Sequence, residues 1–368
     1  MLKSILFKGV IKGYGIVNYD GRDQKWMLKK YKFDEWGNAL KFDNIKIAKH
    51  ALVKTGNDDD GKPQYDVRLK ISSSCLRNAI FKEDQPFQNP MIMHSKRLLN
   101  MSIASVASLL RGYMFEQEGF TGLKRKSPVI ITDAEQTAGE LSTIDLHSTS
   151  SAKRTKESED DASDTSLFYK ETVGEVEYSF KGAVNLADLQ FISLSDTFDR
   201  MAVNPDDFET LYKPHLERSI AGTVDAPGFY LMSSAVNAVP EEGILLRPSQ
   251  TALLVKEFFQ RLLALNITRS ASGYASLSDL QIKFVHDPIT DKMDDEAGWV
   301  TIKKVDDIKI DDDDIIVAFS KISNEEAKAM MEEMAAEMER VKEIKKESRA
   351  RKASAKKEKK NAKESTAD

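Results

Sequence analysis

The sequence predicts an α+β fold: a sheet with helices on one face, built as a ferredoxin-like or RRM-like core with the middle of the chain as a large insertion. Two observations lead there. Alternating apolar and polar residues recur in short runs far apart, as in YDVRLKIS (Tyr65 to Ser72) and LQIKFVHDP (Leu280 to Pro288). Between them lies one long amphipathic segment, SQTALLVKEFFQRLLAL, with Leu254, Phe258, Leu262 and Leu265 at helical spacing and Ser249 as an N-terminal cap. The order of elements becomes strand, helix, irregular insertions, strands, helix, strand.

Taken in order, residues 4 to 19 (SILFKGVIKGYGIVNY) form a strand interrupted by Gly13 and Gly15, where a bulge or another backbone is expected. NDDDGKP (Asn57 to Pro63) is a strong turn, and the strand after it runs into the helix opening SSSCLRNAIF. Residues 133 to 166 contain no aromatic and are dominated by Ser, Thr, Asp, Glu and Lys. Such a segment does not bury enough apolar area to offset its ordering entropy, so a flexible polar loop is expected. Val173 to Ser195 reads as one or two strands, and Gly228 to Pro248 as two extended segments joined by a turn. From Asn324 the chain is helix-prone, with Met331, Met334 and Met338 as a narrow apolar stripe on a solvated or frayed tail, or on one that contacts a partner or phosphate.

Composition excludes several classes. No run of eighteen apolar residues occurs, so neither a membrane span nor a secretory signal is expected. One cysteine, Cys75, gives no internal disulfide and fits a reducing, cytoplasmic setting. The net charge of −5 hides an asymmetry: residues 340 to 368 hold 12 basic and 5 acidic residues, while the preceding 339 hold 42 and 54. The five histidines are scattered, no zinc spacing exists, and the acidic runs at 57–60 and 311–314 lack the glycine and terminal glutamate of a calcium loop. No metal, cofactor or enzymatic motif is expected.

The informative pattern is a repeat, S-x-L-R-x-x-[I/M]-F, present at Ser74 to Phe81 and again 34 residues later at Ser108 to Phe115. A helix N-terminus offers unpaired N–H groups and partial positive charge. Ser73 or Ser74 caps the first helix, Arg77 lies on its first turn, and together they make a phosphate cradle. The other reading of this stretch is a capped amphipathic helix with an exposed arginine. The second copy, with Ser108 and Arg111, is followed by the adjacent cations Lys124, Arg125 and Lys126. Near the C-terminal half, Arg269, Ser270, Ser272 and Gly273 form a hydroxyl-rich loop before Tyr274. Tyr14 and Tyr274 can stack on bases, and Gly13 and Gly15 permit close approach of RNA or an adjacent subunit. Sequence-neutral binding of an RNA backbone is the physical theme.

SSSCLRNAIF, ASVASLLRGYMF, LKRKSPVIITDAEQT, FYKETVGEVEYSFKG, LADLQFISLSDTFDR and LQIKFVHDP with DEAGWVTI resemble the backbone subunit of CRISPR surveillance complexes, most of all its type I-F variant (minimal Cascade) form. The resemblance spans residues 1 to 305. It implies an RRM-like palm with finger and thumb insertions, and copies stacked as a filament along the spacer of a CRISPR RNA. Base edges stay free for target DNA, so pairing reads the sequence while protein holds the backbone. It further implies other Cascade subunits at the RNA ends, a recruited nuclease-helicase, and no nuclease activity in the subunit itself. Phe198 and Met201 fall in the candidate thumb. The corresponding division is 1–132 (first part of the core, with a basic insertion), 133–166 (polar loop), 167–248 (insertion and thumb strands), 249–320 (rest of the core) and 321–368 (tail). A type IV backbone subunit, an RNA-processing endoribonuclease of the same superfold using His50 or His94 as base, and a nucleic-acid-free structural protein are the alternatives.

Overall fold

The protein is described from a computed structural model covering residues 1–15, 17–18, 48–57, 61–82, 95–115, 122–139, 143–151, 164–195, 201–233, 239–269 and 273–364. The chain runs β1 (Ser4–Gly15), β2 (His50–Asn57), β3 (Pro63–Ile71), α1 (Ser73–Ile80), α2 (Lys96–Ile103), α3 (Val106–Arg111), β4 (Tyr113–Phe115), β5 (Leu123–Arg125), β6 (Val129–Ile131) and β7 (Ala134–Gly139). It continues through β8 (Thr143–Ser151), β9 (Asp164–Thr172), β10 (Glu175–Asn185), α4 (Leu186–Gln190), β11 (Phe191–Ser193), α5 (Pro205–Asp207), a π-helical turn (Phe208–Tyr212) and α6 (Lys213–Ser219). The last part comprises β12 (Gly228–Met232), β13 (Glu241–Leu245), α7 (Pro248–Leu263), β14 (Asn266–Arg269), β15 (Gly273–Val285), β16 (Val300–Thr301), β17 (Phe319–Ile322) and α8 (Asn324–Glu364).

The main sheet has the order β14-β15-β1-β10-β7-β3-β2, with β6 also beside β10 and β16 beside β15. All its pairings are antiparallel. At its centre, β1 lies between β15 and β10, and β10 meets β6 and β7 on its other side. Helices α1 to α3 come between β1 and β6 in the chain, and α7 between β10 and β15. The fold is therefore α+β, as expected. A smaller sheet, β11-β13-β12-β17, packs Phe191 on Phe319 with ring centroids 4.6 Å apart.

Strict alternation in β1 sends Ile5, Phe7 and Ile11 inward. Phe7 meets Phe258 and Phe259 of α7 at 5.3 and 5.9 Å and Phe180 of β10 at 6.3 Å. Burying each ring stabilises the sheet–helix contact by roughly 1.5–3 kcal/mol. Leu254, Phe258, Leu262 and Leu265 are all buried, as their spacing predicts. The opposite sheet face turns away from the helices. Near the start of β1 it is covered by the segment after β15, where Lys8 lies 4.5 Å over the Trp299 ring and Lys283 reaches Asp295 at 2.9 Å.

Several local expectations are corrected. Residues 133–166, expected as a polar loop, contain β7, which enters the main sheet, and most of a β8–β9 hairpin; 152–163 lie outside the described residues. Ladder hydrogen bonds satisfy a backbone whatever its side chains, and Thr favours strands, so polarity alone was a poor guide. Helix α7 starts two residues earlier than the Ser249 cap implies: Arg247 is the cap, Pro248 opens the first turn and Gln250 accepts from the Arg247 N–H at 2.9 Å. The turn Asn57 to Pro63 joins β2 to β3, its residues 58–60 lying outside the described set.

Candidate nucleic-acid interface

The two S-x-L-R copies do come together. An Arg77 Nη atom donates to the Val129 carbonyl at 2.6 Å, to the Ser127 hydroxyl, and weakly to the Arg111 carbonyl at 3.5 Å. Arg111 donates to Asn78 Oδ1 at 2.9 Å. Burial, and then the charge of Arg111, pull the Arg77 pKa below its ordinary value. Arg77 thus braces α1 against the start of β6, whereas Arg111 keeps a partly exposed guanidinium.

The expected phosphate cradle at the α1 N-terminus already holds an anion of the chain itself. The cap is Ser72, whose hydroxyl accepts from Cys75 N–H, not Ser73 or Ser74. The Ser73 N–H donates to Asp133 Oδ1 at 2.7 Å, and Lys70 Nζ meets the other oxygen at 2.9 Å. Burial raises the Asp133 pKa, but the Ser73 amide and Lys70 outweigh it and hold the carboxyl below its ordinary value. Asp133 stands 60 residues from Ser73, so no local signal in the sequence announces it.

Two further expectations fail on burial. Ser108 is fully buried, its hydroxyl donating to the Ser102 carbonyl, and Ser105 caps α3. Arg125 is 6% exposed and donates to the carbonyls of Phe191 at 2.7 Å and of Asp188 and Leu189 at 3.2 Å each. Its alternation within β5 turns it inward while Lys124 and Lys126 stay at the surface. Lys126 pairs with Asp188 at 2.7 Å. Met201, the described part of the thumb candidate, packs on the core and its carbonyl accepts from the Lys124 N–H; Phe198 lies outside the described residues.

The second group converges as the sequence alone does not require. Antiparallel pairing of β1 with β15 sets Tyr14 opposite Tyr274, ring centroids 6.1 Å apart, on the sheet face away from the helices. Tyr14 is 60% exposed. Lys12, two residues back on the same face, pairs with Glu177 at 3.3 Å. β14 brings the Arg269 backbone opposite Gly273, beside the tyrosines; Ser270 and Ser272 are outside the described residues. Gly13 does answer to a close approach, but of β15 and not of a ligand: a Cβ there would stand 2.2 Å from the Tyr274 carbonyl oxygen. Gly15 turns at φ +68° and its N–H bonds to Val173 O at 3.0 Å. The outcome is an open sheet end with two adjacent, mutually tilted aromatics, a lysine and a glycine turn, suited to unpaired bases and their phosphates.

Among the described residues no group of three His, Cys, Asp or Glu side chains is placed to hold a metal, and no helix is long and apolar enough to cross a membrane. His50 is 6% exposed, and His94 lies outside the described residues.

Comparison with known proteins gives a family. No curated protein matches the chain. Two solved chains, from structures described as "CRISPR RNA-guided surveillance complex" and "CRISPR RNA-guided surveillance complex, pre-nicking", share 14% and 12% identity with it. They cover 80% and 76% of this chain and 77% and 75% of their own, at TM-scores of 0.35 and 0.34, too low to bear on function. The family described as "Type I-Fv CRISPR-associated protein Cas7fv-like" matches residues 1–297, which include both S-x-L-R copies and the Tyr14–Tyr274 pair. The chain belongs to the Cas7fv-like family of type I-Fv CRISPR-associated proteins.

Proposed function

We propose that the chain is a non-catalytic backbone subunit of a Cascade-type antiviral complex in the cytoplasm, which polymerises along the spacer of a CRISPR RNA and presents its bases to target DNA. Family membership supplies the setting. The Tyr14–Tyr274 pair carries the binding reading: a solvent-facing aromatic platform at the end of two central strands accepts any base, since every base has a π-face. The central strand order β15-β1-β10-β6/β7, with helices on one side, supports an RRM-like palm. On that palm, Lys124 and Lys126 belong to a finger-like insertion, and Arg111, Ser74 and the Arg269 turn are the remaining phosphate contacts. Burial of His50 disfavours the endoribonuclease reading, because a general base must reach its proton. Other Cascade subunits at the RNA ends and a recruited nuclease-helicase complete the reading.

The test uses protein stripped of co-purifying RNA by nuclease and salt. Single-stranded RNA binding is followed by fluorescence anisotropy for several unrelated sequences. All sequences should bind alike, and Tyr14→Ala or Tyr274→Ala should each cost about 1–3 kcal/mol. Affinity untouched by both substitutions would refute the platform; no RNA binding at all would refute the function.

A further inference from the structure

Among the described residues the longest helix is α8. It has 41 residues, so it is about 60 Å long. A body of roughly 320 residues has a radius of gyration of about 20 Å and is about 50 Å across. Among the described side chains, the helix is buried at its root. There Ser323 and Glu326 cap each other, with Glu326 N–H donating to Ser323 Oγ at 3.2 Å and Ser323 N–H to Glu326 Oε2 at 3.0 Å, and Ala327 is buried near β12. Beyond Ala327 every side chain described is partly or fully exposed.

Its sequence is not that of a solvated spacer. Ala327, Met331, Met334, Met338 and Val341 follow the alternating four- and three-residue steps of a packing seam. Charge changes along the rod: Asn324 to Glu339 carries six glutamates and one lysine, and Arg340 to Glu364 carries twelve basic and four acidic residues. The body offers the complement. From Asp287 to Asp314 the chain holds eleven acidic and four basic residues, a net of −7, which Lys8, Lys181 and Lys283, paired with Glu296, Asp294 and Asp295, bring to −4; that region also exposes Ile289, Val300 and, just beyond, Val317.

We propose that α8 is a docking arm whose apolar seam and basic half seat on the acidic 287–314 segment of a second copy of this chain. A rigid helix longer than its own body reaches a neighbour without bending, and none of its described side chains beyond Ala327 is buried against its own chain. A ribose-phosphate strand is the poorer occupant: it gains nothing from the methionine seam and is repelled by the six glutamates. The arm lies outside residues 1–297 that define the family match. It goes beyond the RNA-binding reading, because this docking needs no RNA.

Sedimentation velocity on RNA-stripped protein tests it. Wild type should self-associate in low-salt buffer and dissociate as salt rises. An arm variant (Lys345→Glu, Lys346→Glu, Arg349→Glu, Arg351→Glu) and a segment variant (Asp311→Lys, Asp312→Lys, Asp313→Lys, Asp314→Lys) should each self-associate about tenfold more weakly or worse. An equimolar mixture of the two should regain assembly. A seam variant, Met334→Glu with Met338→Glu, should lose assembly without touching the basic half. RNA anisotropy on the arm variant should stay at the wild-type value. Monomeric wild type, unaffected variants or a mixture that fails to recover would overturn the proposal. So would an arm variant that loses RNA affinity while self-association persists, which would identify phosphate as the occupant.

Discussion

Replacing Arg125 separates a structural guanidinium from a phosphate contact. In Arg125→Met the apolar stem is kept and the donors vanish, leaving the Phe191, Asp188 and Leu189 carbonyls, previously met at 2.7, 3.2 and 3.2 Å, without that partner. An unsatisfied buried carbonyl costs about 1 kcal/mol at the lower end of the usual range, so three give about 3 kcal/mol. The longer contact to the Leu109 carbonyl, at 3.4 Å, is counted as nothing. Against this stands the relief of desolvation that burial imposes on the guanidinium, which pushes its pKa down and is partly offset by Tyr113, Tyr212 and Asp188. Truncating one side of a buried charged network ordinarily costs about 3–5 kcal/mol, so the carbonyl loss wins. Urea denaturation followed by tryptophan fluorescence should show a midpoint lowered accordingly, with Arg125→Lys in between because an ammonium reaches fewer of the three. The logarithmic salt slope of RNA affinity should not change. A variant as stable as wild type whose salt slope falls by about 0.7, one phosphate's worth on a single strand, would refute the reasoning.

Two further outcomes follow from the same region. Because the folded pKa of Asp133 is depressed, its contribution is complete above the unfolded carboxyl value near 4 and is lost as pH falls through the folded value. Asp133→Asn should therefore destabilise the protein by about 0.5–2 kcal/mol at neutral pH and flatten the acid limb of the stability curve, read by thermal melts across pH; an unaltered acid limb would count against the carboxylate cap. Gly112 sits at φ +70° with its Cβ position 2.6 Å from the Arg125 carbonyl oxygen. Gly112→Ala should cost at least about 1–3 kcal/mol in the same melts, and an unchanged melting temperature would mean that α3 and β4 join differently.

Periodicity served well where an element faces the core on one side. The α7 stripe, the β1 alternation and β3 could be read directly, since each needs only its own residues to declare which face is apolar. The candidate site was readable in its members but not in their duties. Arg77, Arg111, Arg125 and Lys126 look alike along the chain, yet only pairing with distant carbonyls and carboxylates decides which guanidinium is held inside. The same holds for Asp133, a carboxylate from another strand filling the helix start that local capping rules offered to a ligand. Conversely, the sequence offers Tyr14 and Tyr274 as aromatics able to stack on bases, and only the register of β1 on β15 makes them a pair.

That register contains one irregularity. Val10 faces Asp279 but Ile11 faces Leu277, leaving Ser278 as a surplus residue whose hydroxyl bonds back to Val10 O at 3.1 Å. Counting along β15, even-numbered Leu280 and Ile282 point into the interior, whereas before the surplus residue odd-numbered Ala275 does. The parity switch is what lets Tyr274 look outward on the same strand whose other half fills the core. Pairing Ser278 into a regular ladder, with no residue gained or lost, would turn the ring inside, so the aromatic site is encoded by the bulge as much as by the tyrosine itself.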